Sequence, residues 1–93
     1  MKVAFELLAL FRQKAGTGRL EVEIGAASTV LAALRAAEAQ LGGQALLDEE
    51  RLRQGVLVFL KDAGGGTRRV FRPAEEMVGR GQAVVLSTAM GGG

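Results

Sequence analysis

Apolar and polar residues alternate with two different periods along this chain, and the change of period divides it into elements. From residue 2 to 11, Val3, Phe5, Leu7, Ala9 and Phe11 share one parity, while Lys2, Ala4, Glu6, Leu8 and Leu10 share the other. Side chains of a strand point alternately to its two faces, so this pattern predicts a strand over 2–11. The second parity turns apolar only late, which predicts a central strand more fully covered at its far end. The turn-rich segment 12–18 follows. Arg19 to Ile24 then alternates cleanly, with Leu20, Val22 and Ile24 inward and Arg19, Glu21 and Glu23 in water. Two such strands joined by a glycine-bearing loop predict a hairpin.

After Gly25 the period lengthens. Val30, Leu34, Ala37 and Leu41 recur at helical spacing and predict one buried stripe on a helix over 29–41. Ser28 is the expected N-cap, Arg35, Glu38 and Gln40 fall toward the outer side, and Gly42-Gly43 supplies the stop. Residues 45–54 fit a short helical turn anchored by Leu46, Leu47 and Leu52, and fit a loop equally well. Val56 to Leu60 is a second apolar strand, Lys61 to Gly66 a turn, and Thr67 to Arg72 its return strand. Pro73, lacking an N–H, ends that pairing. Residues 74–78 form a connector, Gly79-Arg80-Gly81 turns the chain, and Gln82 to Ser87 makes the last strand.

The predicted order is β-β-α-β-β-β: an α+β domain in which one main helix covers a mixed sheet of about five strands. Charges at Arg19, Glu21, Glu23 and at Arg68, Arg69, Arg72 suit sheet edges, where they discourage further pairing. A chain of 93 residues is expected to be one domain with one modest core. It has no cysteine and no histidine, so disulfides, thiol nucleophiles and the commonest general base are absent. An autonomous catalytic site is therefore not expected, nor a bound cofactor or metal. Twelve basic residues face ten acidic ones, giving a formal net charge of +2, which does not call for nucleic acid. No apolar run approaches the ~20 residues that span a membrane. Glu6 would interrupt the apolar region of a signal peptide, so a cytoplasmic location is the expectation.

The sequence closes on Gly91-Gly92-Gly93 after the spacer Ser87-Thr88-Ala89-Met90. Glycine has no Cβ, so such a tail is flexible and threads passages too narrow for other residues. The predicted division is thus a domain over 1–90 and a flexible glycine tail over 91–93. A carboxylate at its end is ionised at neutral pH and a poor electrophile, so covalent use requires an outside enzyme to activate it.

This order and this tail resemble the β-grasp sulfur carriers of the MoaD/ThiS family, relatives of ubiquitin, and most of all MoaD and the archaeal small modifiers. The family's typical tail has a Gly-Asp-Glu-Val turn and strand, an apolar spacer and a Gly-Gly end. Gly81-Gln82-Ala83-Val84 is similar to the first, Met90 falls at the spacer and Gly92-Gly93 at the end. Thr29 to Leu34 looks like the helix opening, and Val56 to Leu60 like the middle strand. Thr88-Ala89 stands where the family has paired prolines, and Gly91 is an additional glycine.

The resemblance implies a sulfur carrier. An ATP-consuming adenylating enzyme of the MoeB/ThiF type joins AMP to the Gly93 carboxylate, and a sulfur donor then displaces AMP to leave a thiocarboxylate. Gly92 and Gly93 thread the active-site channel, Gly91 adds reach, and Met90 docks in an apolar pocket. In the MoaD version the tail enters a MoaE-like large subunit of molybdopterin synthase, in molybdenum cofactor biosynthesis. In other versions it sulfurates tRNA or ends as an isopeptide on a lysine. No direct nucleic-acid or membrane partner is implied. Leu8, Leu10, Val84 and Leu86 form an apolar partner patch beside the tail if the helix leaves one sheet face bare, and otherwise fill the core.

A reading of another class is a non-covalent β-grasp module that binds an acidic protein or RNA through Arg68, Arg69 and Arg72. Its aromatic residues, Phe5, Phe11, Phe59 and Phe71, are mostly expected in the core. Gly64-Gly65-Gly66 lacks the Lys-Ser/Thr of a phosphate loop and reads as a hairpin turn. Asp48-Glu49-Glu50 shows no cation-ligand spacing and reads as a solvated acidic cluster.

Overall fold

The computed structural model describes residues 1–43 and 45–89. Strand β1 covers Lys2–Leu7 and buries Val3, Phe5 and Leu7, the parity expected of it. It stops four residues earlier than its pattern suggests. The Leu8 N–H makes a last ladder bond to the Leu86 carbonyl at 2.9 Å, and Ala9 then turns the chain with a φ of 53°. Ala9–Ala15, free of β-branched residues, forms a short helix, α1, that carries Phe11 into the core. Gly16, at φ 74°, closes it by bonding back to the Arg12 carbonyl. An apolar run with both parities filled suits a helix as well as a strand, and here it is divided between the two.

Strand β2, Arg19–Glu23, returns antiparallel to β1 with Phe5 opposite Leu20 and Val3 opposite Val22. Helix α2, Val30–Leu41, buries the expected stripe of Val30, Leu34, Ala37 and Leu41, widened by Leu31 and Ala33. Its N-cap is Thr29 rather than Ser28: the Thr29 hydroxyl oxygen accepts from the Ala32 N–H at 3.2 Å, while the Ser28 hydroxyl donates to the Gly25 carbonyl. Gly42, at φ 85°, ends the helix as expected.

The segment open between turn and loop is a minimal hairpin, β3 at Leu47–Asp48 and β4 at Arg51–Leu52. Glu38 holds it in place. Its carboxylate Oε2 accepts from the backbone N–H groups of Leu46 and Leu47 at 2.8 and 2.9 Å, so Glu38 is a structural acceptor rather than an outward charge. Strands β5, Val56–Lys61, and β6, Thr67–Val70, form the second hairpin. The return strand ends two residues before Arg72, and Pro73–Glu75 is a single 3-10 turn. Strand β7, Ala83–Thr88, completes a five-stranded mixed sheet in the order β2-β1-β7-β5-β6.

The first and last strands run parallel side by side at the centre, and β7 runs antiparallel to β5. Val3, Phe5, Leu7, Val22, Val58, Leu60, Val70, Val84 and Leu86 meet the apolar stripe of α2 in one core. The main helix thus covers one sheet face, with α1 as a second helix the sequence pattern did not separate from β1. Among the described residues, no helix is long and apolar enough to cross a membrane.

Candidate functional site

The sheet face away from α2 is built by the other parity of each strand. Its rows follow from the register. Phe59 lies opposite Val85 on one side and Arg69 on the other, and Val85 lies opposite Glu6. Nearer the end of β7, Leu57 lies opposite Ser87, and Leu8 follows Leu7, the partner of Leu86. Val85 is 8% exposed yet stands outside the core cluster. Leu57 and Phe59 are half-buried, and Leu8 is 45% exposed. Leu8, Leu57 and Phe59 therefore expose an apolar strip on the face away from α2, with Val85 buried in the same row.

Beyond the strip the face turns polar. The Lys61 ammonium reaches across β7 to the Glu6 carboxylate at 3.1 Å, over the row of Ala83 and Val85. The apolar rows lie toward the C-terminal end of β7, which is held from both sides. Leu8 donates to Leu86, and the Ala89 N–H donates to the Gly55 carbonyl at 2.7 Å. The chain is thus anchored up to Ala89 before it continues into the tail sequence.

Of the proposed partner patch, Val84 and Leu86 take the core alternative, each 0% exposed, and offer no surface. Leu8 and Leu10 are exposed, Leu10 on α1. The residues that join Leu8 instead are Leu57, Phe59 and Val85, because the strip follows the parity of Ala83-Val85-Ser87 rather than that of Val84-Leu86. The unbroken run Val56 to Leu60, apolar at both parities, carried the signal. Met90, Gly91, Gly92 and Gly93 lie outside the described residues.

Phe5 and Phe11 are core residues, whereas Phe71 is 68% exposed, with the Arg69 guanidinium 4.6 Å from its ring centroid. Arg68 pairs with Glu76, and Arg72 approaches Glu75 at 3.7 Å. Gly64 to Gly66 turn the β5–β6 hairpin, Gly65 at φ 96° donating to the Asp62 carbonyl. Asp48-Glu49-Glu50 turns the β3–β4 hairpin, and Glu50 faces Arg35 at 3.9 Å. Among the described residues, no group of three or more carboxylates is placed to hold a metal ion.

At the opposite end of the sheet, the Met1 ammonium donates to Glu23 Oε2 at 2.6 Å and to the Ile24 carbonyl at 2.7 Å. That hydrogen bond, followed by the ammonium's Coulomb attraction and a smaller one from Lys2, holds the Glu23 carboxyl below its ordinary value of 4.5.

No family model and no curated protein sequence matches the chain. Solved structures do match it. SAMP1 from Haloferax volcanii superposes with a TM-score of 0.77 at 20% identity, covering 100% of both chains. The HVO 2177 protein of Haloferax volcanii gives 0.73 at 24% identity, covering 100% of this chain and 87% of that one. A chain of the Amycolatopsis orientalis BexX/CysO complex gives 0.74 at 23% identity, covering 98% of this chain and 99% of that one. The fold is the ubiquitin-like β-grasp.

Small archaeal modifier protein 1 of Haloferax volcanii is thus among the proteins this β-grasp domain is similar to, over the whole chain in one structure and 91% of it in another.

Proposed function

We propose that this β-grasp domain is a sulfur carrier whose Gly93 carboxylate is the reacting group. The observation that carries the reading is the junction at Ala89: a central strand, tethered on both sides, ends beside the apolar strip, and Met90-Gly91-Gly92-Gly93 follows it in the sequence. A carboxylate oxygen of Gly93 attacks the α-phosphorus of ATP in a partner enzyme of the MoeB/ThiF type, releasing pyrophosphate and leaving an acyl adenylate. A sulfur donor at the sulfide level then adds to the acyl carbon and AMP departs. The product is a thiocarboxylate. Met90 and Gly91-Gly92 are the channel-binding residues of this reading, and the chain's lack of His and Cys leaves acid–base and nucleotide chemistry to the partners.

Four residues beyond Ala89, fully extended, reach at most ~14 Å. A partner that handles Gly93 must therefore dock close to the end of β7, and Leu8, Leu10, Leu57, Phe59 and Val85 are the apolar residues there. The finer assignment is delivery of sulfur in molybdopterin biosynthesis, through a MoaE-like large subunit. The name of the modifiers it is similar to favours a second fate of the same activated carboxylate, an isopeptide on a lysine amine of a target protein.

Intact mass after incubation with ATP, a sulfur donor and the adenylating enzyme of the source organism tests the reading. The expected result is the gain that accompanies exchange of one oxygen for sulfur, abolished by removal of Gly92-Gly93. An unchanged mass, with that enzyme active on another carrier, overturns it.

A further inference from the structure

The two edges of the sheet differ in a way that the carrier reading does not use. Edge strand β2 carries Arg19, Glu21 and Glu23, with Arg19 and Glu21 paired at 3.2 Å and Glu23 paired to the Met1 ammonium. Edge strand β6 and its continuation, Thr67 to Arg72, hold three arginines and no acidic residue. Arg68 and Arg72 have carboxylates nearby, from Glu76 and Glu75. Arg69 has none among the described residues; its guanidinium lies against the ring of Phe71 instead.

The backbone of this edge is open. Asp62 donates to the Gly66 carbonyl at 2.8 Å, and bonded pairs alternate along an antiparallel ladder. With Leu60 opposite Arg68 and Val58 opposite Val70, those two pairs turn their backbone groups toward each other. Thr67, Arg69 and Phe71 then present their N–H and C=O groups outward. Just past Phe71 a groove of about 910 Å³ opens, where Phe71, Leu52, Pro73 and Ala74 offer apolar contact between a mixed-charge rim of Arg35, Arg51 and Arg72 with Glu49, Glu50 and Glu75.

We infer that the β6 edge is a docking site for an extended acidic segment of a partner protein, added as a sixth strand. Main-chain bonds to Thr67, Arg69 and Phe71 hold it, a carboxylate meets Arg69, and an apolar side chain rests on Phe71 at the mouth of the groove. Charge selects the occupant. A second copy of the same edge would bring arginines against arginines, which is unfavourable for directly opposed like charges. An acidic strand removes that conflict and would be repelled at the β2 edge by Glu21 and Glu23.

The test uses the full chain and a fluorescein-labelled octapeptide of alternating glutamate and valine, with alternating lysine and valine as control. Anisotropy should show binding of the acidic peptide only. Amide exchange at Thr67, Arg69 and Phe71 should slow in its presence while β2 amides are unchanged. R69E together with R72E should weaken binding at least tenfold, and removal of Gly92-Gly93 should leave it unaltered, which keeps this result separate from the carrier chemistry. Equal binding of both peptides, or shifts at arginine side chains without amide protection, would overturn the inference. So would tighter binding of an oligouridine that displaces the peptide, which would assign the edge to RNA. Oligomers seen by sedimentation and dispersed by R69E would assign it to β2 of a second copy.

Discussion

At the scale of single residues, the paired charges with the clearest structural consequence are those a hydropathy pattern places simply in water. Glu23 occupies a polar position of an alternating strand, and nothing in its neighbours along the chain announces a partner. Folding brings the Met1 ammonium to its carboxylate, 2.6 Å away, and its pKa falls below the ordinary 4.5. A group with a depressed folded-state pKa stabilises the fold above its unfolded value, and that stabilisation is lost as pH falls through the folded one. The wild type should therefore be more stable than Glu23→Gln at neutral pH. The two should converge as pH drops below 4.5, the carboxyl's ordinary value. Thermal melts of both proteins between pH 7 and pH 3 check this; a difference that persists unchanged at the acid end would contradict it. Glu38 is the same lesson in another form. Its spacing on α2 reads as an outward charge, yet its carboxylate reaches forward to cap the Leu46 and Leu47 N–H groups.

At the scale of elements, parity along strands was legible and strand ends were not. The inward sets of β1 and β2 follow directly from alternation, and the buried stripe of α2 from helical spacing, whereas β5 is apolar at both parities and its inward set of Val56, Val58 and Leu60 came only with the fold. The division of residues 2–11 into β1 and α1 was hidden because Leu8, Ala9, Leu10 and Phe11 are apolar in both periods. Only the ladder bond from Leu8 to Leu86 and the left-handed turn at Ala9 settle where the strand stops. The same ambiguity left the partner patch open between surface and core: on a strand running to Phe11, Leu8 and Leu10 share a face with each other, while Val84 and Leu86 take the core alternative. In the sheet, Phe5 pairs with Val84 and Leu7 with Leu86, so the exposed parity is the alternate one. Truncation distinguishes the two sets. Leu86→Ala removes a side chain with 0% exposure from the central strand and should cost about 2–5 kcal/mol in urea denaturation. Leu57→Ala, on the half-buried outer face, should cost distinctly less. Equal losses would mean that Leu57 is as much a core residue as Leu86.

At the scale of the whole molecule, the parallel pairing of first and last strand puts the departure of the tail sequence at the middle of the sheet, and the helix occupies only one side. The tail is a reading of the sequence, and Met90 to Gly93 lie outside the described residues. The surface at the end of β7 was not legible there, because it is assembled from three separated places: Leu8 after β1, Leu57 and Phe59 on β5, and Val85 on β7. If a partner must hold this face to bring Gly93 within reach of its nucleotide, a charge placed in the strip should separate folding from activation. Leu57→Glu suits the purpose, since its side chain lies opposite Ser87 on the face without α2 and is half-buried there. The variant should keep the amide spectrum of a folded sheet and an unmodified Gly93. Its enzyme-dependent conversion, followed by intact mass, should nevertheless slow by at least ~tenfold, the change that a loss of about 1.4 kcal/mol at a docking surface produces. Leu8→Glu should act in the same direction, and a charge added on β2 should not. Conversion at the wild-type rate in both strip variants would show that the partner reaches the carboxylate without this face, and would transfer the docking role to α1, where Leu10 is exposed.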